Sequence, residues 1–518
     1  MSKVNLDALV PREDFEVEDV ITSGKKKETI SIEDIKADSF FFTNLRKPDF
    51  QRETNEWESE KVAELIRSFV SGDLIPAIIL WRSSGGYLFV IDGSHRISAL
   101  AAWVNNDYGD GTTSKLFYDG IVPDEQLQVA DTTRKLVEKI VGPYTDFRLA
   151  LSNPDKVRKD IAQHAKNLGA LAIQLQWVEG DSSKAENSFF KINQQAAPID
   201  KTELKLLEAR RKPASIAARA IIRSGKGHKY WSNFSGSNQE LIQQLAVEIN
   251  QTLFNPPLEN PIKTLDLPIA GKLYSAQTLP LIVDMIGIVI GETKSDSPLN
   301  TDDNTGERTI EVLNKVRKLV LTINSNHASS LGLHPAVYFY SQEGRYKSSA
   351  FLAMVDFTAK LVQEKRLNEF VRIRAEFERF TLEYDYLAQQ INRKHRTAQR
   401  SYPFVSRFFA NVMSGLAKRE SDDRIIAKIR AMADFNYITT QKQEPKRGKP
   451  GEKFTRDDKS AIFLRDVLQR APKCSICQGF IHKNAISIDH ITRRTDGGSS
   501  GTDNGQLSHP YCNTGYKS

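Results

Sequence analysis

The sequence predicts a multidomain α+β protein with an N-terminal domain of strands and helices, a large helical middle region and a small C-terminal domain. Three observations predict this organisation. Short apolar runs, separated by turn residues and flanked by helical patterns, occupy the first part of the chain. Nearly every periodic stretch between residues 183 and 435 has helical spacing. All three cysteines of the 518-residue chain follow residue 473.

The N-terminal domain begins with clear secondary-structure signals. Residues 57–69 place their apolar side chains on one helical face, and Gly72 follows as a stop. The apolar runs 77–81 and 87–91 flank a loop with two glycines and therefore predict a β-hairpin. A helix to about Val104 follows the hairpin, and later apolar residues alternate as in a strand at Ile173, Leu175 and Trp177.

Composition sets the expected boundaries. We expect a partly ordered lead-in, an N-terminal domain, a helical domain, a basic linker and a C-terminal domain at residues 1–40, 41–210, 211–439, 440–459 and 460–518. The linker is rich in Lys, Pro and Gly and nearly free of apolar residues. The clearest helical stretches are residues 200–222, 238–254, 308–325, 346–365, 367–396 and 420–434.

Composition also bounds the partners. Apolar residues make up 40% of the chain, yet no run of about 18 of them occurs, so we expect no membrane partner. The opening residues MSKVNLDALVPREDF lack an apolar signal core, and the few cysteines argue against a disulfide framework, so we expect a cytoplasmic protein. The net charge of +7 and isoelectric point of about 9.0 permit a nucleic-acid partner without establishing one.

The cysteines have the spacing of a metal site. Cys474 and Cys477 form a C-x-x-C pair, and His509 and Cys512 form an H-x-x-C pair. Three sulfur ligands and one imidazole favour zinc, and a closed set of four ligands is structural rather than catalytic. A domain this small cannot bury a sufficient core, so we expect the metal to stabilise it. His482 lies nearby and is expected to be a surface residue, because the ligand set is already complete.

Two residues between these pairs have the chemistry for phosphodiester hydrolysis. Asp489 is a hard oxygen ligand that suits Mg²⁺ or a similar ion. His490 follows it directly and suits the deprotonation of a water molecule. Hydrolysis of a phosphodiester needs an activated water and a cation near the developing charge.

The whole C-terminal pattern resembles the HNH (ββα-metal) endonuclease family over residues 474–518. The resemblance includes the Asp489-His490 pair, the Gly497-Gly498 turn, Asn504, and Asn513 directly after the last ligand. It implies that His490 is the general base and that Asp489 and Asn513 bind a catalytic Mg²⁺ or Mn²⁺ ion. It also implies that Asn504 orients the histidine. His509 stands where the family usually has a cysteine.

A zinc-stabilised module that only binds nucleic acid is the alternative interpretation of the C-terminal domain. The two metal-binding pairs alone would fit a zinc ribbon of this kind. Asp489, His490, Asn504 and Asn513 at fitting offsets favour a nuclease instead.

A second group of polar residues follows the predicted hairpin. Asp92, Gly93, Ser94, His95 and Arg96 lie at a strand-to-helix junction. The glycine permits a tight turn, the start of a helix suits a phosphate, and the arginine can add a bidentate contact. A D-G pair before a helix is most often only a turn, so this pattern alone is weak.

Neighbouring motifs extend this pattern. Gln51-Arg52 precedes a tryptophan, and Phe190-Lys191-Ile192-Asn193 comes later in the chain. Over about residues 40–210 the series resembles the N-terminal domain of GmrSD-type restriction endonucleases, which has a ParB/sulfiredoxin-like core. The resemblance implies a nucleotide or phosphate site lined by Asp92, Gly93, His95 and Arg96. Gln51, Arg52 and Asn193 are candidates to close it.

One departure from that family bears on hydrolysis. Ser94 and His95 replace two glutamines of the family motif, so binding of a nucleotide is better supported than its hydrolysis. Ser94 remains a candidate hydrogen-bond donor to the nucleotide. His95 is equally compatible with a base and with a packed residue.

The pairing of these two resemblances implies a metal-dependent endonuclease of restriction or anti-phage defence type. Its N-terminal domain would bind nucleotide or sense DNA, and so gate the cutting of foreign or modified DNA. The expected cofactors are structural zinc and catalytic Mg²⁺ or Mn²⁺, with a nucleoside triphosphate as a candidate. One HNH site cuts one strand, which makes a homodimer a reasonable expectation. The alternative is a nicking enzyme whose ParB-like domain binds DNA without nucleotide hydrolysis.

Overall fold

The computed structural model describes residues 3–13, 25–48, 54, 57–117, 122, 124–196, 209–225, 231–273, 278–291, 301–441 and 453–517. The chain divides into two compact units, Met1–Arg210 with Lys226–Tyr230 and Arg211–Gly225 with Trp231–Ser518. The helical region and the cysteine-bearing C-terminus therefore belong to the same unit. The five-part division expected from composition stays a prediction.

The first unit contains a mixed six-stranded sheet. Its strands are β1 (Arg12–Glu13), β2 (Thr29–Ser31), β3 (Leu45–Pro48), β4 (Ile78–Arg82), β5 (Leu88–Asp92) and β6 (Ala172–Val178). They lie in the order β1-β3-β5-β4-β6-β2, in which β4 pairs antiparallel with β5 and parallel with β6. The predicted hairpin is thus confirmed as β4 and β5. The predicted alternating strand is confirmed as β6, with Ile173 and Leu175 buried.

Helices cover this sheet. They are α1 (Phe40–Thr43), α2 (Ser59–Ser71), α3 (Ser94–Asn105), α4 (Thr112–Phe117), α5 (Asp124–Ile140), α6 (Tyr144–Ala150), α7 (Lys159–Leu168) and α8 (Ser182–Ala196). Helix α2 buries Val62, Ile66 and Phe69 and ends at Gly72 in the left-handed region, as predicted. Val4 and Leu9, from the expected lead-in, pack into the same hydrophobic core as α2 and α3.

The second unit is mainly helical. Its helices before the C-terminal segment are α9 (Pro213–Ile222), α10 (Gly236–Phe254), α11 (Thr278–Ile290), α12 (Glu307–Ile323), α13 (Pro335–Tyr338), α14 (Ser348–Gln363), α15 (Leu367–Arg372), α16 (Arg374–Glu383), α17 (Asp385–His395), α18 (Ala398–Ala417) and α19 (Asp422–Arg430). Residues 338–340 are buried aromatic residues at the end of α13, which places them in a core.

Two expected helical stretches differ from the structure. Residues 367–396 form three helices rather than one, because the backbone leaves helical geometry at Ile373 and Tyr384. The first break lets Phe370 and Phe377 turn toward each other, with their ring centroids 5.3 Å apart. Of the stretch 200–222, the structure describes a helix only from Pro213, and residues 200–208 lie outside the described part.

The C-terminal segment is small and compact. It contains α20 (Arg456–Leu468), an antiparallel hairpin of β7 (Ser487–His490) and β8 (Gly505–Ser508), and a π-helical turn at Cys512–Tyr516. Helix α20 begins with a capping box formed by Thr455 and Asp458. Among the helices in the described ranges, none is both long and apolar enough to cross a membrane.

Candidate metal centre and active site

Four side chains converge beside the β7–β8 hairpin. The sulfur atoms of Cys474, Cys477 and Cys512 and a ring nitrogen of His509 all lie within 4.8 Å of one another. All four residues are buried. The first two lie on a tight loop, in which the amide of Cys474 donates to the carbonyl of Gly479 at 2.9 Å. The two pairs predicted from spacing therefore form one cluster.

The chemistry of this donor set fits zinc. Nδ1 of His509 lies 3.3 Å from Sγ of Cys477 and 3.8 Å from Sγ of Cys512. Hydrogen bonds from Cys477 and Cys512 hold the pKa of the Cys474 thiol well below its ordinary value, whereas hydrogen bonds with Cys474 and Cys477 raise the pKa of Cys512. One thiolate in such a group suppresses ionisation of the next, and a bound cation removes that conflict. Three sulfurs and one imidazole in a closed, buried set constitute a structural zinc site.

The end of β7 carries the predicted chemical residues. Asp489 is 4% exposed, and the neighbouring His490 is half-buried. Successive residues of a strand point to opposite faces, so the carboxylate turns inward while the imidazole turns outward. In the hairpin, Asp489 pairs with Gln506 and His490 pairs with Gly505. A small residue opposite His490 leaves space beside the imidazole.

Two donors hold the buried carboxylate of Asp489. Nζ of Lys517 lies 2.6 Å from Oδ2, and Nε2 of Gln506 donates to the same oxygen at 2.7 Å. Nζ of Lys517 also donates to the carbonyl of His490 at 2.5 Å. A buried carboxylate needs a cation or several donors to offset its desolvation, and both are present here. Sequence reasoning did not identify Gln506 as a donor to this carboxylate.

Asn504 secures the loop that follows His490. Its side-chain oxygen accepts from the amide of Thr492 at 2.7 Å. Its Nδ2 donates to the carbonyls of Thr492 at 3.1 Å and Ser499 at 2.8 Å. These three bonds close the loop between the strand end and the Gly497-Gly498 turn. The predicted orienting role of Asn504 stays a prediction.

Asn513 joins the π-helical turn to β7. Its Nδ2 donates to Oγ of Ser487 at 2.8 Å and to the carbonyl of Ile488 at 3.2 Å. This orientation leaves the side-chain oxygen as the atom that can ligate a cation. Asn513 directly follows the zinc ligand Cys512, so the metal cluster fixes its position.

His482 is not at the surface. It is 1% exposed, and its Nδ1 lies 3.2 Å from Oδ1 of Asn324 at the end of α12. Its ring packs edge-on against His334, with centroids 5.4 Å apart. The surface expectation was wrong because the loop before β7 packs against the helical region, which a local sequence pattern cannot reveal.

Residues of the motif 92–96 stabilise the strand-to-helix junction of the first unit. Gly93 adopts φ +100°, and a Cβ there would lie 2.9 Å from Cγ1 of Ile78. Nη2 of Arg96 donates to Oδ2 of Asp92 at 2.8 Å and to the carbonyl of Ala77 at 3.0 Å. The motif thus ties the start of α3 to both ends of the hairpin.

The structure describes only some of the remaining residues predicted for the nucleotide site. Ser94 is buried, and the ring of His95 stacks on Trp57 with centroids 5.5 Å apart. Asn193 lies on α8, but its side chain is outside the described part of the structure. Gln51 and Arg52 also lie outside the described residues. Their assignment to a nucleotide site therefore stays a prediction.

Two residues of the helical region also reach the metal cluster. Arg374 and Glu378 on α16 are fully buried and contact the segment that contains the zinc ligands. An Arg–Glu pair four residues apart is common on solvated helices, so the sequence alone carries no signal for this role.

Comparison with known families agrees with the two resemblances. Residues 32–209 match the family described as GmrSD restriction endonuclease, N-terminal domain. Residues 474–518 match the HNH endonuclease family. No curated protein and no solved structure matches the chain significantly. An HNH endonuclease domain implies hydrolysis of DNA phosphodiester bonds, with DNA as substrate. The chain therefore carries a GmrSD restriction endonuclease N-terminal domain at residues 32–209 and an HNH endonuclease domain at residues 474–518.

Proposed function

We propose that this protein cuts foreign or modified DNA in a metal-dependent reaction, and that its N-terminal domain senses DNA or nucleotide and gates the cut. One observation carries the nuclease half of this proposal. Asp489 and His490 end β7, and the amide nitrogen of Asn513 bonds to the same strand at Ser487 and Ile488. A base and two hard oxygen donors are thereby brought to one strand end.

Each residue has one chemical task. His490 takes the proton of the attacking water, because its imidazole turns toward the accessible face of the hairpin. The carboxylate of Asp489 and the side-chain oxygen of Asn513 are hard donors that suit Mg²⁺ or Mn²⁺. Such an ion supplies charge stabilisation at the leaving oxygen when it is bound. Asn504 holds the loop after His490 and so keeps the imidazole in position.

The zinc cluster has a separate task. Because Asn513 directly follows Cys512, zinc fixes the backbone from which the amide oxygen projects. The ligand set offers no open position for substrate or water, so zinc stabilises the domain and takes no part in the reaction.

For the N-terminal domain we propose a nucleotide or phosphate site at the start of α3. It would be lined by Asp92, Gly93, Ser94, His95 and Arg96, with Gln51, Arg52 and Asn193 as candidates to close it. The family match over residues 32–209 and the left-handed Gly93 at the helix start support it. The ion pair between Asp92 and Arg96 opposes phosphate binding, because a phosphate would have to compete with Asp92 for the guanidinium.

The number of active sites limits what one copy of the protein can cut. One HNH site cuts one strand, so a double-strand break requires two copies or two encounters. We propose a homodimer on this ground, with nucleotide or modified DNA controlling its activity.

Cleavage assays test the nuclease proposal first. Plasmid DNA and base-modified phage DNA are each incubated with the purified protein and Mg²⁺ or Mn²⁺, with and without nucleoside triphosphate. We expect the wild type to cut and His490→Ala to be inactive with its zinc content unchanged. The matched control His164→Ala lies on α7 in the first unit and should cut like the wild type.

The outcomes separate the competing functions. Cleavage by His490→Ala at the wild-type rate would refute the assigned base. Specific DNA binding without cleavage under every condition would favour the binding-module alternative. Nucleotide turnover that disappears in Asp92→Ala would support the N-terminal site, whereas cleavage that never responds to nucleotide would support the ParB-like alternative.

A further inference from the structure

Arg374 brings a buried positive charge to the zinc cluster. Its side chain is 0% exposed, and its Nη1 lies 3.3 Å from Nδ1 of His509. The same guanidinium donates to the carbonyls of Leu331 and Gly332, the latter at 2.9 Å. These bonds fix the plane of the guanidinium against the imidazole. Arg374 and His509 are 135 residues apart in the chain, so only the packing of α16 makes this contact.

Glu378 extends the network to the backbone of residues 474–480, the cysteine loop. Its Oε1 accepts from Nε of Arg374 at 2.8 Å and from the hydroxyl of Tyr338 at 3.0 Å. Its Oε2 accepts from the amide of Phe480 at 2.8 Å. The carboxylate thus has charged and neutral donors on both oxygens, as a buried carboxylate requires.

The backbone of Phe480 connects Glu378 to the zinc ligand His509. Nε2 of His509 lies 3.0 Å from the carbonyl of Phe480. A bond from Nε2–H to this carbonyl fixes the tautomer and leaves Nδ1 as the atom that ligates zinc. Second ring nitrogens of metal-binding histidines are commonly held in this way, and the partner sets the ring orientation.

Charge explains why an arginine lies here. Zn²⁺ with three thiolates and one neutral imidazole carries one net negative charge, and such a charge is costly in a buried site. Once Nδ1 binds zinc, its lone pair is no longer available to Arg374, so the contribution of the guanidinium is electrostatic. The cysteine loop comes close enough for this effect, since a Cβ at Gly479 would lie 2.5 Å from Nε of Arg374.

We propose that Arg374 and Glu378 are positioning residues of the zinc site, which neutralise the zinc–thiolate charge and orient His509 from the helical region. Zinc is then retained fully only while the HNH segment is packed on α16. The inference concerns the zinc site and does not depend on which residues perform the hydrolysis.

Zinc release from the full-length protein tests the proposal. The rate of transfer to a chromophoric chelator is measured for the wild type, Arg374→Met, Arg374→Lys, Glu378→Gln and the control Arg379→Met. We expect Arg374→Met to release zinc about 10–100-fold faster, because the loss of a residue that supports a metal ligand typically weakens metal affinity by this factor. Arg374→Lys should release zinc at an intermediate rate, because lysine keeps the positive charge but lacks the several fixed N–H donors of the guanidinium. Arg379 lies on the same helix and pairs with Glu383 and Asp422, so its variant should match the wild type.

A second readout separates positioning from general stability. The absorption spectrum of the cobalt-substituted protein reports the geometry of the thiolate and imidazole ligands. We expect it to shift in Arg374→Met and Glu378→Gln and to stay unchanged in Arg379→Met.

Failure of one variant to fold leaves the proposal testable. If circular dichroism shows that Arg374→Met is unfolded, Glu378→Gln supplies the test. A single carboxamide oxygen cannot accept from both Arg374 and Phe480, so faster release is expected. Wild-type release rates and cobalt spectra in the folded variants of Arg374 and Glu378 would overturn the proposal, whether or not the protein cuts DNA.

Discussion

The ammonium group of Lys517 lies 2.6 Å from Oδ2 of Asp489, a carboxylate whose side chain is 6% exposed. The lysine side chain is itself 21% exposed, so the pair is partly shielded from solvent. The same ammonium group bonds to the carbonyl of His490. One cation therefore holds both the proposed ion ligand and the backbone of the proposed base.

Loss of that cation should impair cleavage without releasing zinc. In Lys517→Met we expect the cleavage rate to fall about 10–100-fold, the range for residues that support ligands of a metal ion. The reason is that Asp489 loses its charge partner and the end of β7 loses a tether. Single-turnover cleavage at several Mg²⁺ concentrations measures the effect, and the exposed Lys459→Met is the control. A wild-type rate in Lys517→Met would show that the contact has no catalytic importance.

Asn504→Ala should loosen the loop after His490. The variant loses three hydrogen bonds to Thr492 and Ser499, so the segment between them should open more often. Trypsin cuts after Arg493 and Arg494, which makes the rate of cleavage there a direct measure of opening. We expect faster proteolysis, lower nuclease activity and unchanged zinc content.

Asn504→Asp should have a smaller effect than Asn504→Ala. It keeps an acceptor for the Thr492 amide but lacks both Nδ2 bonds, so its proteolysis rate should be intermediate. Equal proteolysis rates in the wild type and both variants would contradict the role assigned to Asn504.

Gly93→Ala should destabilise the first unit. Alanine at φ +100° costs about 1–2 kcal/mol, and its Cβ would also crowd Ile78 and Arg96. Urea unfolding followed by tryptophan fluorescence measures the change, because four of the five tryptophans lie in this unit at positions 57, 81, 103 and 177. Gly169→Ala is a matched control, since a Cβ there meets nothing within 4 Å. If both variants unfold at the same urea concentration, the strained turn is not important for stability.

His482 should make the stability of the second unit depend on pH. Burial lowers the pKa of His482 to about 4, with Asp266 opposing and Lys483 reinforcing the shift. The unfolded chain takes up a proton near pH 6.5 while the folded protein does not, so this contribution is present above pH 6.5 and is lost as the pH falls toward 4. The neutral variant His482→Gln lacks this proton linkage.

Calorimetry at two pH values measures this linkage. The thermal midpoint of the wild type should fall more than that of His482→Gln between pH 7 and pH 5, with zinc present throughout. The exposed His327→Gln should follow the wild type. Parallel shifts in all three proteins would rule out the contribution of His482.

Local patterns in the sequence determined most of the elements. The spacing of apolar residues specified α2, the β4–β5 hairpin and β6, because burial of one face imposes a period that short-range sequence records. The C-x-x-C and H-x-x-C pairs likewise specified the zinc ligands, since each pair lies on one tight turn. The break at Ile373 was not visible, because it depends on how the aromatic residues of α15 and α16 pack.

Tertiary structure decided what surrounds the metal. Arg374 and Glu378 form an ordinary i,i+4 pair in the sequence, yet packing buries them against the segment that binds zinc. His482, expected at the surface, is buried against the helical region for the same reason. Contacts across more than a hundred residues depend on the relative placement of whole helices. Sequence by itself therefore determined the ligands of zinc, and only the folded chain determined which buried charges support them.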